Sequence, residues 1–385
     1  MSLSNGIHMK NNTILILGGY GNTGRAIAEL LLQATNVRLI LAGRDLNKAT
    51  QACGELNGRF SGGRATAAFA DASDGVGLAS LFTGAGMVVV ASSTASYTAK
   101  IAAAALQART DYMDIHFGPK VYRQLQAMKV PIEESGRCFI SGGGFHPGLP
   151  AALVRFAGQY LDKLETAIVA GAMNVDFSTY HYSPSTRREF VEELADFNPL
   201  FYRDGAWHKM NMLTAREMLT VDFGGDFHKK LCSPLFLEEL EPLPNLFPWL
   251  RQLGFYVAGF NPVVDYLIFP LVIFLRWLFP ERFNEPLSKL FVWGMKAFSK
   301  PPFGYVLQLD ALGQLNGKPE RLSLRIAHTD PARITAAPVV ACLLQYLEQP
   351  QPVPGLWLQA LYVEPHRFLD DIRRLGVQME IAVGC

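Results

Sequence analysis

The chain has 385 residues, enough for two domains, because a single hydrophobic core usually stops growing before roughly 250 to 300 residues. Apolar residues make up 49% and charged residues 18%, which excludes a disordered class, and a formal net charge of +1 gives no electrostatic reason to expect a nucleic acid partner. The five cysteines (Cys53, Cys138, Cys232, Cys342, Cys385) are widely spaced, without a CxxC pair or a metal-type cluster. They suit reduced thiols in a cytoplasmic protein, and no metal is expected. Met1 to Asn12 is polar and lacks the apolar core of a signal peptide.

In chain order, Thr13–Gly18 (TILILG) is an apolar run suited to a strand covered on both faces. A glycine turn and an amphipathic run from Arg25 to Ala34 follow. Val37–Ala42 is a second strand and Leu46–Leu56 a helix. Ala65–Ala70, Met87–Ala91, Tyr112–Ile115 and Cys138–Ser141 are further strands, with helices over Ser96–Ala108 and Pro119–Ser135. This alternation predicts an α/β fold, an N-terminal Rossmann doubly wound parallel sheet. After Ser141–Gly144 and His146–Pro147–Gly148 the pattern changes. Tyr305–Leu315 and Glu320–His328 form a hairpin around Asn316–Gly317, a pair that adopts the positive φ angles of a type I′ turn. Leu322, Leu324 and Ile326 alternate with Arg321, Ser323 and Arg325, as in an antiparallel sheet with one wet face. Asp330–Pro331 then starts a helix. The expected domains are residues 1–145, which bind dinucleotide, and residues 146–385. The latter form a mixed α/β substrate and dimerisation domain with antiparallel strands, its C-terminal segment available to pack back on the first domain.

The turn Gly19-Tyr20-Gly21-Asn22-Thr23-Gly24 is a full GxGxxG. The first glycine permits the tight turn, the second lets backbone approach a pyrophosphate, and the third lets helix and strand pack closely. It follows an apolar strand and opens a helix whose free N–H groups point at phosphate, the context that makes the motif specific. Cofactor choice falls at the end of the second strand. An NAD enzyme usually carries Asp or Glu there; this chain has Gly43-Arg44, which leaves room for a 2′-phosphate and offers it a guanidinium. Asp45, one residue on, is the contrary signal. Asp71 ends the third strand, where adenine-side contacts are made. Ser92-Ser93-Thr94 ends the fourth, where the nicotinamide ribose is expected, although turn and cap chemistry would use the same residue types.

The segments GGYGNTG (Gly18–Gly24), AGR (Ala42–Arg44), ARTDYMDI (Ala108–Ile115) and SGGGFHPGLP (Ser141–Pro150) resemble the saccharopine dehydrogenase-like family of NADP-binding oxidoreductases. Ile334 to Val377 resembles it more loosely. The resemblance implies a Rossmann domain, then a mixed domain carrying the substrate site and often a dimer contact, with substrate in the interdomain cleft. It implies NADP(H)-dependent oxidation or reduction of an amino-acid adduct or of a lipid-like enoyl compound. Asp114 and His116 after the fifth strand, and His146 in the junction turn, are the candidate proton donors or acceptors. Arg187 and Arg188, in YHYSPSTRR (Tyr180–Arg188), could anchor a substrate carboxylate, or be solvated arginines on a capped helix.

Residues 246–298 are rich in Phe, Trp and Leu, most densely over Val263–Phe279. Asp265, Pro270 and Arg276 interrupt that run, leaving it too short to cross about 30 Å of hydrocarbon. A buried core or homodimer helix, an interfacial membrane or lipid contact, and the wall of a lipid-substrate pocket all suit it. The competing class is a non-catalytic nucleotide-binding scaffold at a membrane or lipid surface.

Overall fold

The computed structural model describes residues 12–176, 197–211, 214–279 and 284–384. These residues form two compact units. Of the described residues, the first takes those within 12–116, 120–143 and 339–362; the second takes those within 117–119, 144–338 and 363–384.

The first unit is built on a parallel sheet. Its strands are β1 (Thr13–Leu17), β2 (Arg38–Gly43), β3 (Ala65–Phe69), β4 (Met87–Val90), β5 (Asp111–Asp114) and β6 (Cys138–Ser141). The helices between them are α1 (Asn22–Ala34), α2 (Leu46–Arg59), α3 (Gly75–Phe82), α4 (Thr98–Gln107), α5 (Pro119–Gln126) and α6 (Lys129–Glu134). Ile14 to Leu17 and all of β4 are buried, as a central strand covered on both faces requires. β1 lies between β4 and β2, so the chain winds outward through β2 and β3 and then crosses back to β4. This is the doubly wound arrangement expected, and its switch point falls between β1 and β4. The segment Pro119–Ser135, expected as one helix, is two. Pro131 can supply no N–H and its ring clashes with the carbonyl four residues back, so the chain breaks at Ala127–Met128 and restarts at Lys129.

The second unit contains α7 (Pro150–Tyr160) and a mixed sheet. Its strands are β7 (Lys163–Asn174), β8 (Leu200–Arg203), β9 (Ala206–Lys209), β10 (Leu219–Asp222), β11 (Lys229–Pro234), β12 (Gln252–Ala258), β13 (Gly304–Leu315) and β14 (Lys318–His328). After β15 (Gly355–Leu358), which joins β6 in the first sheet, β16 (Gln378–Gly384) completes it. The order is β10-β11-β12-β7-β13-β14-β16, with β8 paired to β12 and β9 to β8. The β13–β14 hairpin turns at Asn316 (φ 52°) and Gly317 (φ 75°), and Leu322, Leu324 and Ile326 are buried while Arg321 is exposed. The longer helices that remain are α8 (Phe269–Leu278), α9 (Asn284–Phe298), α10 (Pro331–Glu348) and α11 (Pro365–Arg374). The Asp330 carboxylate accepts from Ala332 N at 2.8 Å, the cap expected for α10. Helix α10 starts in the second unit, and from Val339 its residues group with the first.

Candidate dinucleotide site

The carboxyl ends of β1 and β4 meet at backbone distance. Gly18 has φ +88°, and a Cβ there would sit 2.8 Å from the Ala91 carbonyl oxygen and from Ser92 Cβ. Only glycine fits this turn. A Cβ on Gly24 would lie 2.3 Å from the Gly18 carbonyl oxygen, so α1 can begin this close to β1 only without a side chain. Gly21 N donates to Gly18 O at 2.9 Å, and Gly21 forms the N-cap of α1. No side chain caps that helix and its first turn carries no acid. The resulting glycine cradle and uncapped helix end suit a pyrophosphate. Gly19, Gly21, Asn22, Thr23 and Gly24 all lie in this turn; Gly18, whose need comes from its crossing neighbour Ala91, completes it.

At the end of β2, Gly43 is covered by Tyr20. A Cβ on Gly43 would meet Tyr20 Cε1 at 2.5 Å, and the Tyr20 hydroxyl accepts from Asp45 N at 3.2 Å. Arg44 follows in exposed position. The Asp45 carboxylate is engaged locally: Oδ1 accepts from Lys48 N at 3.0 Å and caps α2, while Oδ2 lies 3.5 Å from Lys48 Nζ. These bonds, that from Lys48 N first, hold its pKa below the usual carboxylate value. The one-residue shift that would offer a carboxylate to the ribose is therefore opposed by a helix cap. Asp71 is likewise turned on its own loop, accepting from Ser73 N and Ser73 Oγ at 2.8 Å each. Those two bonds depress its pKa, with Arg44 and Lys100 adding smaller attractions.

Past β4, Ser92 Oγ and Thr94 Oγ1 lie 3.1 Å apart, and Thr94 N donates to Ser92 O; Ser93 sits between them. His116 reaches this turn. Its Nε2 is 2.9 Å from the Ser92 carbonyl oxygen, which can only accept, so in the neutral ring Nε2 carries the proton. Nδ1 is then the basic nitrogen; it is buried and has no hydrogen-bond partner. Asp114, fully buried, holds the surrounding backbone: Oδ1 accepts from His116 N at 3.1 Å and from Gly142 N at 3.2 Å, and its carbonyl accepts from Gly143 N. Ser92, Asp114 and His116 thus form one cluster at the ends of β4, β5 and β6.

His146 belongs to the second unit. Its ring packs against Phe145 (5.1 Å between centroids), Phe255 (5.6 Å) and Phe117 (6.4 Å), and burial lowers its pKa to about 4. It is a neutral imidazole at pH 7. The turn it occupies is closed by a residue that pattern reading did not single out. Glu239, fully buried, accepts from Gly148 N at 2.7 Å and Ala151 N at 3.0 Å at the start of α7, and burial pushes its pKa up to about 7. Arg187 and Arg188 lie outside the described residues.

The dense apolar segment is not a core helix. From Val264 to Leu278 it alternates buried with exposed apolar side chains, and Leu267 is 67% exposed. Among the described residues no helix is long and apolar enough to cross a membrane.

Residues 14–140 match the family model described as the saccharopine dehydrogenase NADP binding domain. Residues 14–140 form a saccharopine dehydrogenase-like NADP-binding domain. NADP is its cofactor, and the domain assigns the chain to the oxidoreductases. Among solved structures the chain is similar to apo saccharopine dehydrogenase (L-Glu forming) from Saccharomyces cerevisiae. They share 12% identity over 97% of this chain and 100% of that one, with a TM-score of 0.66, a likeness of fold. A mutant meso-DAP dehydrogenase from Clostridium tetani E88 aligns over 94% of this chain and 98% of its own at 12% identity and a TM-score of 0.46. No curated protein sequence matches the chain.

Proposed function

We propose that the chain is an NADP(H)-dependent oxidoreductase in which Arg44 reads the 2′-phosphate and His116 handles the substrate proton. The observation that carries this reading is the pairing of an uncapped, glycine-lined α1 N-terminus with Gly43-Arg44, where Asp45 is withdrawn into the α2 cap. The cofactor supplies or accepts hydride at its nicotinamide. His116 is supported as proton acceptor by its bond to the Ser92 carbonyl, which leaves Nδ1 basic, and Asp114 is its positioning residue. The substrate is an amino-acid adduct or a lipid-like enoyl compound. Arg187 and Arg188 are the proposed carboxylate anchors in the first case; a pocket lined by Phe269, Phe274 and Trp277 would favour the second. Four free cysteines, Cys53, Cys138, Cys232 and Cys342, are all buried, which supports a reducing, cytoplasmic setting.

Fluorescence titration of the whole chain with NADPH and NADH tests the cofactor assignment. Charge-assisted hydrogen bonds contribute about 1.5 to 3 kcal/mol, so Arg44→Ala is expected to weaken NADPH by roughly ten- to a hundredfold and leave NADH nearly unchanged. Equal affinity of the unmodified chain for both nucleotides would overturn the preference. The second reading, a non-catalytic scaffold at a lipid surface, draws on the exposed apolar helices; NADPH turnover on a screened substrate would remove it.

A further inference from the structure

In the second unit a π-turn, Val264–Ile268, runs directly into α8, and α9 packs back against them. The pair is pinned by close contacts. A Cβ on Gly294 would lie 2.3 Å from Ile268 Cδ1, so the segments cross where α9 has no side chain. Asn261 Nδ2 donates to Ser299 Oγ at 3.3 Å, and Asn261 Oδ1 accepts from Val264 N at 3.0 Å. Phe291 and Phe260 meet edge to face at 5.5 Å. One side of this pair is therefore a well-packed interior.

The other side is apolar and wet. Tyr266, Leu267, Leu271, Phe274, Leu278 and Phe279 are all exposed. On α9 the exposed positions follow helical spacing, and they place Trp293 (54% exposed) among Lys289, Lys296 and, just past the helix end, Lys300. Of the acids nearby, Asp265 accepts from Phe260 N, while Glu285 forms an exposed ion pair with Lys289 at 3.4 Å, a contact that a headgroup phosphate would share or replace. Soluble proteins rarely leave so many large apolar side chains open along neighbouring helices, and such a surface marks an interaction site.

Its chemistry distinguishes the occupants. In a two-fold dimer the face would meet its own copy and bring lysines towards lysines, whereas protein interface cores are depleted in lysine. Tryptophan beside lysines that can extend their ammonium groups past an apolar surface is the pattern of a bilayer boundary. From Val264 to Leu278 the segment spans about 22 Å at 1.5 Å per residue, short of roughly 30 Å of hydrocarbon, so it can lie in the interface but not cross it. We propose that α8 and α9 dock the protein on an anionic lipid bilayer. The apolar side chains enter the acyl boundary, and Lys289, Lys296 and Lys300 meet the headgroup phosphates.

Flotation of the whole chain with vesicles of phosphatidylcholine, alone or mixed with phosphatidylglycerol, tests this without reference to turnover, so its outcome is separate from that of the cofactor assignment. The chain is expected to float with the mixed vesicles and far less with phosphatidylcholine alone. Leu267→Glu with Phe274→Glu is expected to abolish flotation. Lys289→Gln with Lys296→Gln and Lys300→Gln should weaken binding to mixed vesicles by about fivefold per lysine. Undiminished NADPH binding and circular dichroism confirm that each variant folds, and the lysine variant decides the matter if the glutamate variant does not. Absence of flotation, or flotation indifferent to these substitutions, overturns the proposal. So does a dimer in sedimentation that Leu267→Glu with Phe274→Glu splits while no vesicle binds; that result would assign the face to a second copy.

Discussion

Two glycine turns in this chain each open a helix, and they treat its positive end in opposite ways. Gly18–Gly24 leads into α1 with no side chain on the N-cap and no acid in the first turn. Gly144–Gly148 leads towards α7, and there the carboxyl of Glu239 accepts from Gly148 N and Ala151 N. The electrostatic need is the same, because the first N–H groups of a helix lack intrahelical partners and its dipole favours negative charge. One turn meets that need from within the chain and becomes a structural joint. The other leaves it unmet, and in the proposed reading the cofactor's pyrophosphate meets it. Binding capacity, on that reading, follows from what the fold withholds from a helix end.

The open turn is broken by filling it. A Cβ at Gly24 meets only backbone, 2.3 Å from the Gly18 oxygen and 2.9 Å from its carbon, so no flexible neighbour can yield. Gly24→Val is expected to move α1 off β1 and weaken NADPH by at least about a hundredfold, the largest effect considered, with a lowered melting temperature. Titration by cofactor fluorescence reads it. Retained affinity would mean that the α1 end is not where the pyrophosphate sits.

The closed turn is broken through its charge. Burial raises the Glu239 pKa from its ordinary 4.5 to about 7. A carboxyl raised on folding contributes most below its unfolded value, and that contribution is lost as the pH climbs from about 4.5 through about 7. The rise corresponds to about 3 kcal/mol at this fully buried site. Denaturant unfolding of the whole chain should therefore show stability falling over that window. Glu239→Gln should flatten this part of the profile while costing about 1 to 3 kcal/mol at pH 5, because an amide N–H₂ then faces one backbone donor. An unchanged slope in the variant would show that Glu239 is not the titrating group.

The difference between the turns also explains what could be read in advance. The glycine turn was legible because its constraints lie within seven residues and in the apolar strand before them. The place of Gly43-Arg44 at the end of β2 was legible because the apolar run of that strand stops there. Glu239 reaches Gly148 across 91 positions of sequence and leaves no local pattern. The contact of His116 with Ser92 depends on β5 lying beside β4, which topology supplies and spacing does not. Val263–Phe279 was plainly apolar, but its composition could not say which side chains the α9 crossing at Gly294 would cover and which it would leave exposed.

Tyr20 gives the finest test of the open turn, because it joins the proposed phosphate cradle to the loop proposed to choose the cofactor. Its ring lies over Gly43 and its hydroxyl accepts from Asp45 N, so one side chain of the glycine motif positions the backbone that carries Arg44. Tyr20→Phe keeps the ring and removes the acceptor. A neutral hydrogen bond of this kind contributes about 0.5 to 1.5 kcal/mol. The loop should loosen by that amount, lowering NADPH affinity roughly two- to tenfold while NADH, which does not need Arg44, changes little. The ratio of the two dissociation constants is the deciding quantity. A fall in both affinities together would make Tyr20 a general support of the cradle; a fall in NADPH alone makes it a specificity residue acting through Asp45 and Arg44.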